Sequence, residues 1–501
     1  MKKLNLTLTL ILLVVVIITF YKSCSPKEIS KSGVVTIPQD IDFVAALDLP
    51  KFLEESDFEN LQSSTFFKDY LSNSSAENPV FIDLIRNPVQ SGIDFMHNSY
   101  YALDFDQSNR NEHFAGVIFT LNNPRNFASI VKKHYKNNIK SAEGFNYILL
   151  DKLTTIGWNE SFAIFGSADM FIDLEDKLGE FFHTKASSSI LENKSFVNAI
   201  DADKDLSFWL STSSFINDKQ LLREYGAADI PTEILEDNFI TGYLDFGKGT
   251  LEGKMQFDFK DELQEVFENY FNKEMESDFF GFIPKRNIGF LISTSLNLPG
   301  IYNYKTENRL VRSGVDQLLG YKDLSTDELF RTFGGDLFLA SYRDSPTDKA
   351  TLLLGTKFYN RNLLDKLLNL GVKADYLEKE SDDIYRWMST SRDSSSFKIN
   401  FPDGYPRLAI VDDNLLFMTD GANYNRILNG GYRNSEIFDR STIQEIENQM
   451  ISGIFNAHVM TNVPGAKDDI FEKVDFSFNK EEMKFSLEFK DKKTYALSRF
   501  I

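Results

Sequence analysis

Alternation of apolar and polar residues runs through both halves of the chain. In Lys254-Met255-Gln256-Phe257-Asp258-Phe259 and Met483-Lys484-Phe485-Ser486-Leu487-Glu488-Phe489 every second residue is apolar. On a pleated strand this gives one apolar and one polar face, as in an antiparallel sheet with one wet side. Elsewhere the period changes. Phe127, Ile130 and Val131, and likewise Leu363, Leu364, Leu367 and Leu368, recur at helical spacing, so a helix is expected in each place. Hairpin-forming strands with intervening helices predict an α+β fold and not a doubly wound parallel sheet.

The elements recur in the same order. Ile37-Pro38 opens a strand that ends at Leu49-Pro50, and Ile283-Pro284 opens one that ends at Leu298-Pro299. Proline punctuates both ends because it lacks the N–H that a central ladder needs. Gly92-Ile93-Asp94 before a strand is answered by Gly334-Gly335-Asp336. Strands at 115–121 and 351–358 then lead to Asn123-Pro124 and to Asn360-Arg361, each Asn placed to cap a helix. Hairpins follow, Tyr147–Leu150 with Ser161–Phe165 and Arg407–Val411 with Asn414–Met418, and each half closes on alternating strands, with Phe257-Asp258-Phe259-Lys260-Asp261 mirrored by Leu487-Glu488-Phe489-Lys490-Asp491. The expected architecture is therefore two tandem diverged repeats, 35–270 and 271–501, each a mainly antiparallel sheet with helices packed on one face. The apolar run Phe279-Phe280-Gly281-Phe282 near the boundary reads either as a seam between the repeats or as part of the second core.

The first residues follow another pattern. Lys2 and Lys3 precede an almost unbroken apolar run from Leu4 to Phe20, and Cys24 lies directly behind it. A charged start and an apolar run make an export signal, so residues 1–24 stand apart from the fold. Cys24 suits the lipidated first residue of a bacterial lipoprotein, although Tyr21 and Lys22 depart from the small residues usual there. The run also approaches the roughly 17 residues that span a bilayer, so an uncleaved signal anchor remains open, as does simple secretion. All three place the rest of the chain outside the cytoplasm, beyond a polar tether at 25–34.

Composition narrows the function classes. The net charge of −20 repels phosphate backbones and argues against nucleic-acid binding. Forty-six Phe and twenty Tyr favour sheet-rich cores. One Cys excludes an intramolecular disulfide and any multi-thiolate zinc site. His97, His113, His134, His183 and His458 lack the four-residue spacing of helical metal ligands. Asp201, Asp203 and Asp205 imitate a calcium loop, but Leu206 and Thr212 replace its Gly and Glu, so a polar turn entering a strand is expected. Gly247-Lys248-Gly249 reads as a hairpin turn and Ser395-Ser396-Phe397-Lys398 as a loop, since the companion elements of a penicillin-recognising serine enzyme do not occur. Trp158, Trp209 and Trp387 lie in strand-like contexts that favour core packing over a ligand platform.

The lipoprotein-like start, the Ile-Pro opening, Gly92–Asp94 before a strand and Trp158-Asn159 entering a hairpin strand resemble a set of large Bacteroidetes envelope lipoproteins classed as a domain of unknown function. The tether lacks the acidic cluster of surface-displayed lipoproteins in that phylum, so the resemblance implies a periplasm-facing protein. It implies architecture and location but no mechanism. The expectation is a non-enzymatic binding or scaffold protein, held at the membrane by Cys24 or a signal anchor. It has no catalytic, metal or cofactor site, and its partner is a protein or polysaccharide. The alternative is a cell-wall or glycan hydrolase built on a carboxylate pair, which space and not sequence defines.

Overall fold

The computed structural model describes residues 33–500 except 57–78, 87, 106–112, 170–171, 201–203, 216–230, 273–274, 276–278, 286, 306–325, 344–349, 389–405, 420–424, 426, 430, 432–437, 439 and 461–470. The chain divides into two compact units. The first runs to Lys260 and is completed by Asp491–Ile501, and the second is Asp261–Lys490.

The described strands of the first unit are β1 (Phe43–Leu47), β2 (Ser99–Phe105), β3 (His113–Thr120), β4 (Lys140–Ala142), β5 (Phe145–Leu149), β6 (Thr154–Trp158), β7 (Phe162–Ala168), β8 (Leu206–Ser211), β9 (Phe239–Asp245) and β10 (Thr250–Asp258). They pair antiparallel in the order β10-β9-β8-β1-β2-β3-β7-β6-β5-β4. Adjacent residues of β3 enter different cores. Phe114 and Ile118 join one apolar cluster, and Val117 and Phe119 join another, so both faces of the sheet are covered.

Helix α1 (Leu49–Glu55) is N-capped by Asp48, whose carboxylate accepts from Lys51 N at 3.0 Å. Helix α2 (Pro124–Tyr135) is capped by Asn123, which accepts from Asn126 N at 3.1 Å. Phe52 of α1 and Phe127 and Val131 of α2 fill one cluster, while Leu174, Leu178 and Phe181 of α3 (Leu174–His183) fill the other. Helices packed on one face were expected, but the first unit carries them on both. Its central strands are apolar on both sides and could not leave either side to water.

A charged contact ties α2 to an earlier helix, Pro79–Arg86. Lys133 Nζ lies 2.5 Å and His134 Nε2 2.7 Å from Asp83 Oδ2. Burial alone would raise the Asp83 carboxyl, but hydrogen bonds from Lys133 and His134 outweigh it and hold the group below its ordinary value. Such a group stabilises the fold above the ordinary Asp range, about 3.9. That contribution is lost as pH falls through the depressed folded-state value. Asp83→Asn is expected to cost about 1 kcal/mol in urea unfolding at pH 7, screening included. The difference from wild type should close as pH falls through that depressed value, below which both side chains are neutral. A gap that persists in acid would mean that packing and not charge makes the tie.

The second unit contributes β11 (Ile288–Ser295), β12 (Phe333–Tyr342), β13 (Thr351–Phe358), β14 (Leu377–Ser381), β15 (Ile384–Trp387), β16 (Arg407–Val411), β17 (Asn414–Met418), β18 (Ile451–Asn456), β19 (Phe471–Phe478) and β20 (Glu482–Phe489). Their antiparallel order is β20-β19-β18-β11-β12-β13-β17-β16-β15-β14. Helix α4 (Arg361–Lys373) has Asn360 as its cap, accepting from Leu363 N at 3.1 Å. Its Leu364 and Leu368 pack with Phe358, Leu377, Tyr385 and Ile410. On the other side, Phe279, Phe280 and Phe282 join Phe338, Ala340, Tyr342 and Leu353 in the unit's larger core. The three rings therefore complete the second core, which replaces the seam reading.

The last described residues return to the first unit, whereas the sequence pattern had assigned 271–501 wholly to the second repeat. Gly249 N donates to Thr494 O and Ala496 N to Gly247 O, both at 2.9 Å, and Leu497 is buried in the first unit's core. Gly247-Lys248-Gly249 is the expected turn between β9 and β10, and it also receives this C-terminal segment.

Candidate functional site

The side chains singled out for chemistry are dispersed. Cys24, Asp201, Asp203 and the Ser395–Lys398 segment lie outside the described residues, as does the side chain of His458. His134 is held by Asp83, His97 Nδ1 lies 3.0 Å from Asp94, and His183 Nε2 lies 2.7 Å from the Glu143 carbonyl. His113 stands edge-on to Phe105. Among the described residues no three His, Cys, Asp or Glu side chains are placed to hold a metal ion. Nor is any described helix long and apolar enough to cross a membrane. Trp158 and Trp209 are buried at 3% and 1% exposure, as core residues should be, but Trp387 is 41% exposed.

One cluster of ionisable groups was not legible in the sequence. Lys51 and Glu55 stand one turn apart on α1, so both point the same way. They meet Lys204 and Asp205 just before β8 and Asp245 at the end of β9. Lys51 Nζ lies 3.1 Å from Asp205 Oδ1 and 2.9 Å from Asp245 Oδ1, and Lys204 Nζ lies 2.5 Å from Asp245 Oδ2. The N–H of Phe246 donates to Asp205 Oδ2 at 2.5 Å. Glu55 Oε2 has no hydrogen-bond partner among the described residues.

The environments of these acids differ. Burial, then the adjacent Asp205 charge, pushes Glu55 up to about 9, so it holds its proton at neutral pH. Burial likewise raises Asp205. Burial would raise Asp245 too, but hydrogen bonds from Lys204 and Lys51 outweigh it and bring that group to about 2. The Lys51 ammonium is favoured by the two aspartates over the opposing effect of burial. The result is a Glu55–Asp205 pair that titrates abnormally. It is enclosed, however, since Glu55 is 6% exposed and the Asp205 side chain 0%. A described cavity of about 430 Å³ lies elsewhere, lined by residues that include Glu143, Phe145, Glu175, Glu180 and His183.

The second unit presents a different surface. Strand register places Tyr385, Leu408, Phe417, Leu354, Leu339, Ile292, Gly453, Phe476 and Phe485 side by side across its sheet. Residues directly opposite in antiparallel strands share a face, so this is one row on one face. Tyr385 is buried beside α4, whereas Leu408, Phe417, Leu339, Ile292, Phe476 and Phe485 are only half-buried. Leu354 is 42% exposed. Trp387 meets Phe417 edge-on at 6.1 Å, and Tyr376, 52% exposed, is joined to the end of β15 by the Met388 N–H. Sequence alternation predicted apolar faces but not which of them would stay partly open.

Residues 34–386 match the family model described as Domain of unknown function (DUF4836). Among solved structures, crystal form III of TP0453 is 8% identical, with 49% of this chain and 89% of that chain covered and a TM-score of 0.28. Crystal form I of TP0453 is 10% identical over 48% of this chain and 84% of that chain, with a TM-score of 0.27. Likenesses of this size establish no shared fold. No curated protein sequence matches the chain.

Proposed function

The chain belongs to the DUF4836 family, and from that premise we propose that it is a non-enzymatic binding or scaffold protein anchored in the cell envelope. The half-open apolar row of the second unit carries this reading. Sheet faces normally bury such side chains, and large exposed apolar patches on soluble proteins mark places where something docks. Trp387 and Tyr376 beside the row are of the residue types that dominate contact energies with protein or polysaccharide partners. The hydrolase reading needs two carboxyls flanking a substrate. The enclosure of the Glu55–Asp205 pair speaks against that role.

The two units are further read as diverged copies of one tandem ancestor. In support, the pairing order of β1–β10 becomes that of β11–β20 when every number rises by ten. Asn123 and Asn360 cap corresponding helices. Two related sheets suit a scaffold that holds a partner away from the membrane.

Exposed residues can be changed with little cost to the fold, which makes the docking surface testable. Leu354→Lys with Trp387→Ser should reduce capture of the partner by about tenfold or more after cross-linking in membranes, because such anchors are worth roughly 1–3 kcal/mol each. Equal recovery with wild type and variant would remove this face from the binding surface.

The anchor is tested separately. An alkynyl fatty acid should label the wild-type protein and leave Cys24→Ala unlabelled. Label on the variant, or none on the wild type, would favour the uncleaved signal anchor.

A further inference from the structure

We propose that Lys51 and Asp205 become joined by an intramolecular amide bond that the chain forms itself, with Glu55 shuttling the proton. The parts of an acyl transfer lie together in the first unit. Lys51 supplies the nucleophile, with Nζ 3.1 Å from Asp205 Oδ1. Asp205 supplies the electrophilic carboxyl, fully removed from water. The Phe246 N–H already donates to the other oxygen, Oδ2, at 2.5 Å, where negative charge would develop as the carbon becomes tetrahedral. Glu55 stands one helical turn from Lys51 and beside Asp205, 6% exposed and with a free Oε2. Its raised pKa keeps a proton available at neutral pH.

Enclosure of the carboxyl is what makes the reaction accessible. In water the ammonium and carboxylate would stay ionised, but Asp205 is withdrawn from solvent, which narrows the gap between the ion pair and the neutral amine–acid pair, while Lys51 reaches it with 27% of its side chain exposed. Asp245, 2.9 Å from Lys51 Nζ, opposes loss of the ammonium charge. Lys204 lies 2.5 Å from that same carboxylate and compensates its charge when Lys51 becomes neutral. Fixed neighbours also remove the entropic cost of bringing amine and acid together.

The step balances without any co-reactant. One proton passes from the Lys51 ammonium to Asp205 Oδ1. The freed lone pair attacks Cγ, and the C=O electrons move onto Oδ2, held by Phe246 N–H. Glu55 gives its proton to the departing Oδ1 hydroxyl and takes one from the nitrogen. The C–Oδ1 bond breaks, one water leaves, and Glu55 ends protonated as it began. One positive and one negative charge vanish together, so net charge is unchanged.

Such a bond would tie α1 to the strand junction at β8 across a long loop. A cross-link of that reach stabilises chiefly by restricting the unfolded chain. With one cysteine, the chain cannot make an intramolecular disulfide to the same end.

Mass spectrometry of the purified full chain decides the matter. Wild-type protein should be lighter than its residues require by one water molecule, and digestion should yield a branched peptide joining the Lys51 and Asp205 segments. Lys51→Arg keeps the ion pair but should have the full mass. Glu55→Gln should also have the full mass, with its circular dichroism unchanged. Separate linear peptides from wild-type protein at full mass would overturn the proposal. So would a Lys51→Arg chain that still lacks the water.

Discussion

Replacing Phe279 and Phe280 together with serine is expected to unfold the second unit and leave the first protected. Both rings are buried, at 0% and 3% exposure. Phe279 stacks on Phe338 at 4.2 Å and touches Phe280 at 4.4 Å, and Phe280 meets Phe438 edge-on. Truncating one buried Phe costs about 3–5 kcal/mol through lost transfer energy and the cavity left behind. Serine adds a hydroxyl with no assured partner in an apolar surround. Two such losses approach the roughly 5–15 kcal/mol that holds an ordinary domain together. Hydrogen exchange should show protection lost across 279–490 and kept across 33–260 and at 491–500. Collapse of both units together, or protection kept in both, would contradict the assignment of these rings to the second core alone.

That pair of rings marks where local pattern stops being informative. A short apolar run says that it must be buried, but not in which core. The helix starts were legible because capping is local, and the Asn123 and Asn360 side chains each reach only three residues ahead. The hairpin of Arg407–Val411 with Asn414–Met418 was legible for the same reason, but 147–149 pairs with 155–157 and not with 161–165, through the strand β6 that the pattern did not mark. The return of 491–500 to the first unit was not. It depends on bonds such as Ala496 N to Gly247 O, across the whole second unit, and it carries no periodicity of its own. The Lys51 cluster was hidden in the same way. Asp205 read as part of a polar turn, and only the neighbouring ends of β8 and β9 bring it to α1. The one available signal was a Lys and a Glu spaced by four behind an Asp-Leu-Pro helix start. Helices on both faces went unforeseen because alternation was clear in strands such as β10, whereas β3 is apolar on both sides.

Gly335→Ala should destabilise the second unit by several times as much as Gly144→Ala does the first, although both glycines have a positive φ. Gly335 has φ +86° and Gly144 φ +79°. Left-handed backbone costs a residue with a Cβ roughly 1–2 kcal/mol. At Gly144 nothing lies within 4 Å of the added carbon, so that cost is nearly the whole effect. At Gly335 the carbon would lie 1.7 Å from the Leu296 carbonyl oxygen, far inside contact. Neither backbone can easily move away. Leu296 N donates to Gly335 O at 2.9 Å, and the Asn272 amide holds Leu296 O at 2.9 Å. Asp336 is paired with Ser295 in the next position of the ladder. Opening this junction would break β11 from β12 at the end where the pairing of β12 with β13 shifts register, between Phe333 and Leu337. Denaturant unfolding of the two variants, read separately for each unit, should give about 1 kcal/mol for Gly144→Ala. For Gly335→Ala the loss should exceed about 3 kcal/mol, as expected where strain and a broken hydrogen-bond network combine. Equal losses would mean that conformation alone matters, and that the close approach of the two backbones is not a feature of the folded chain.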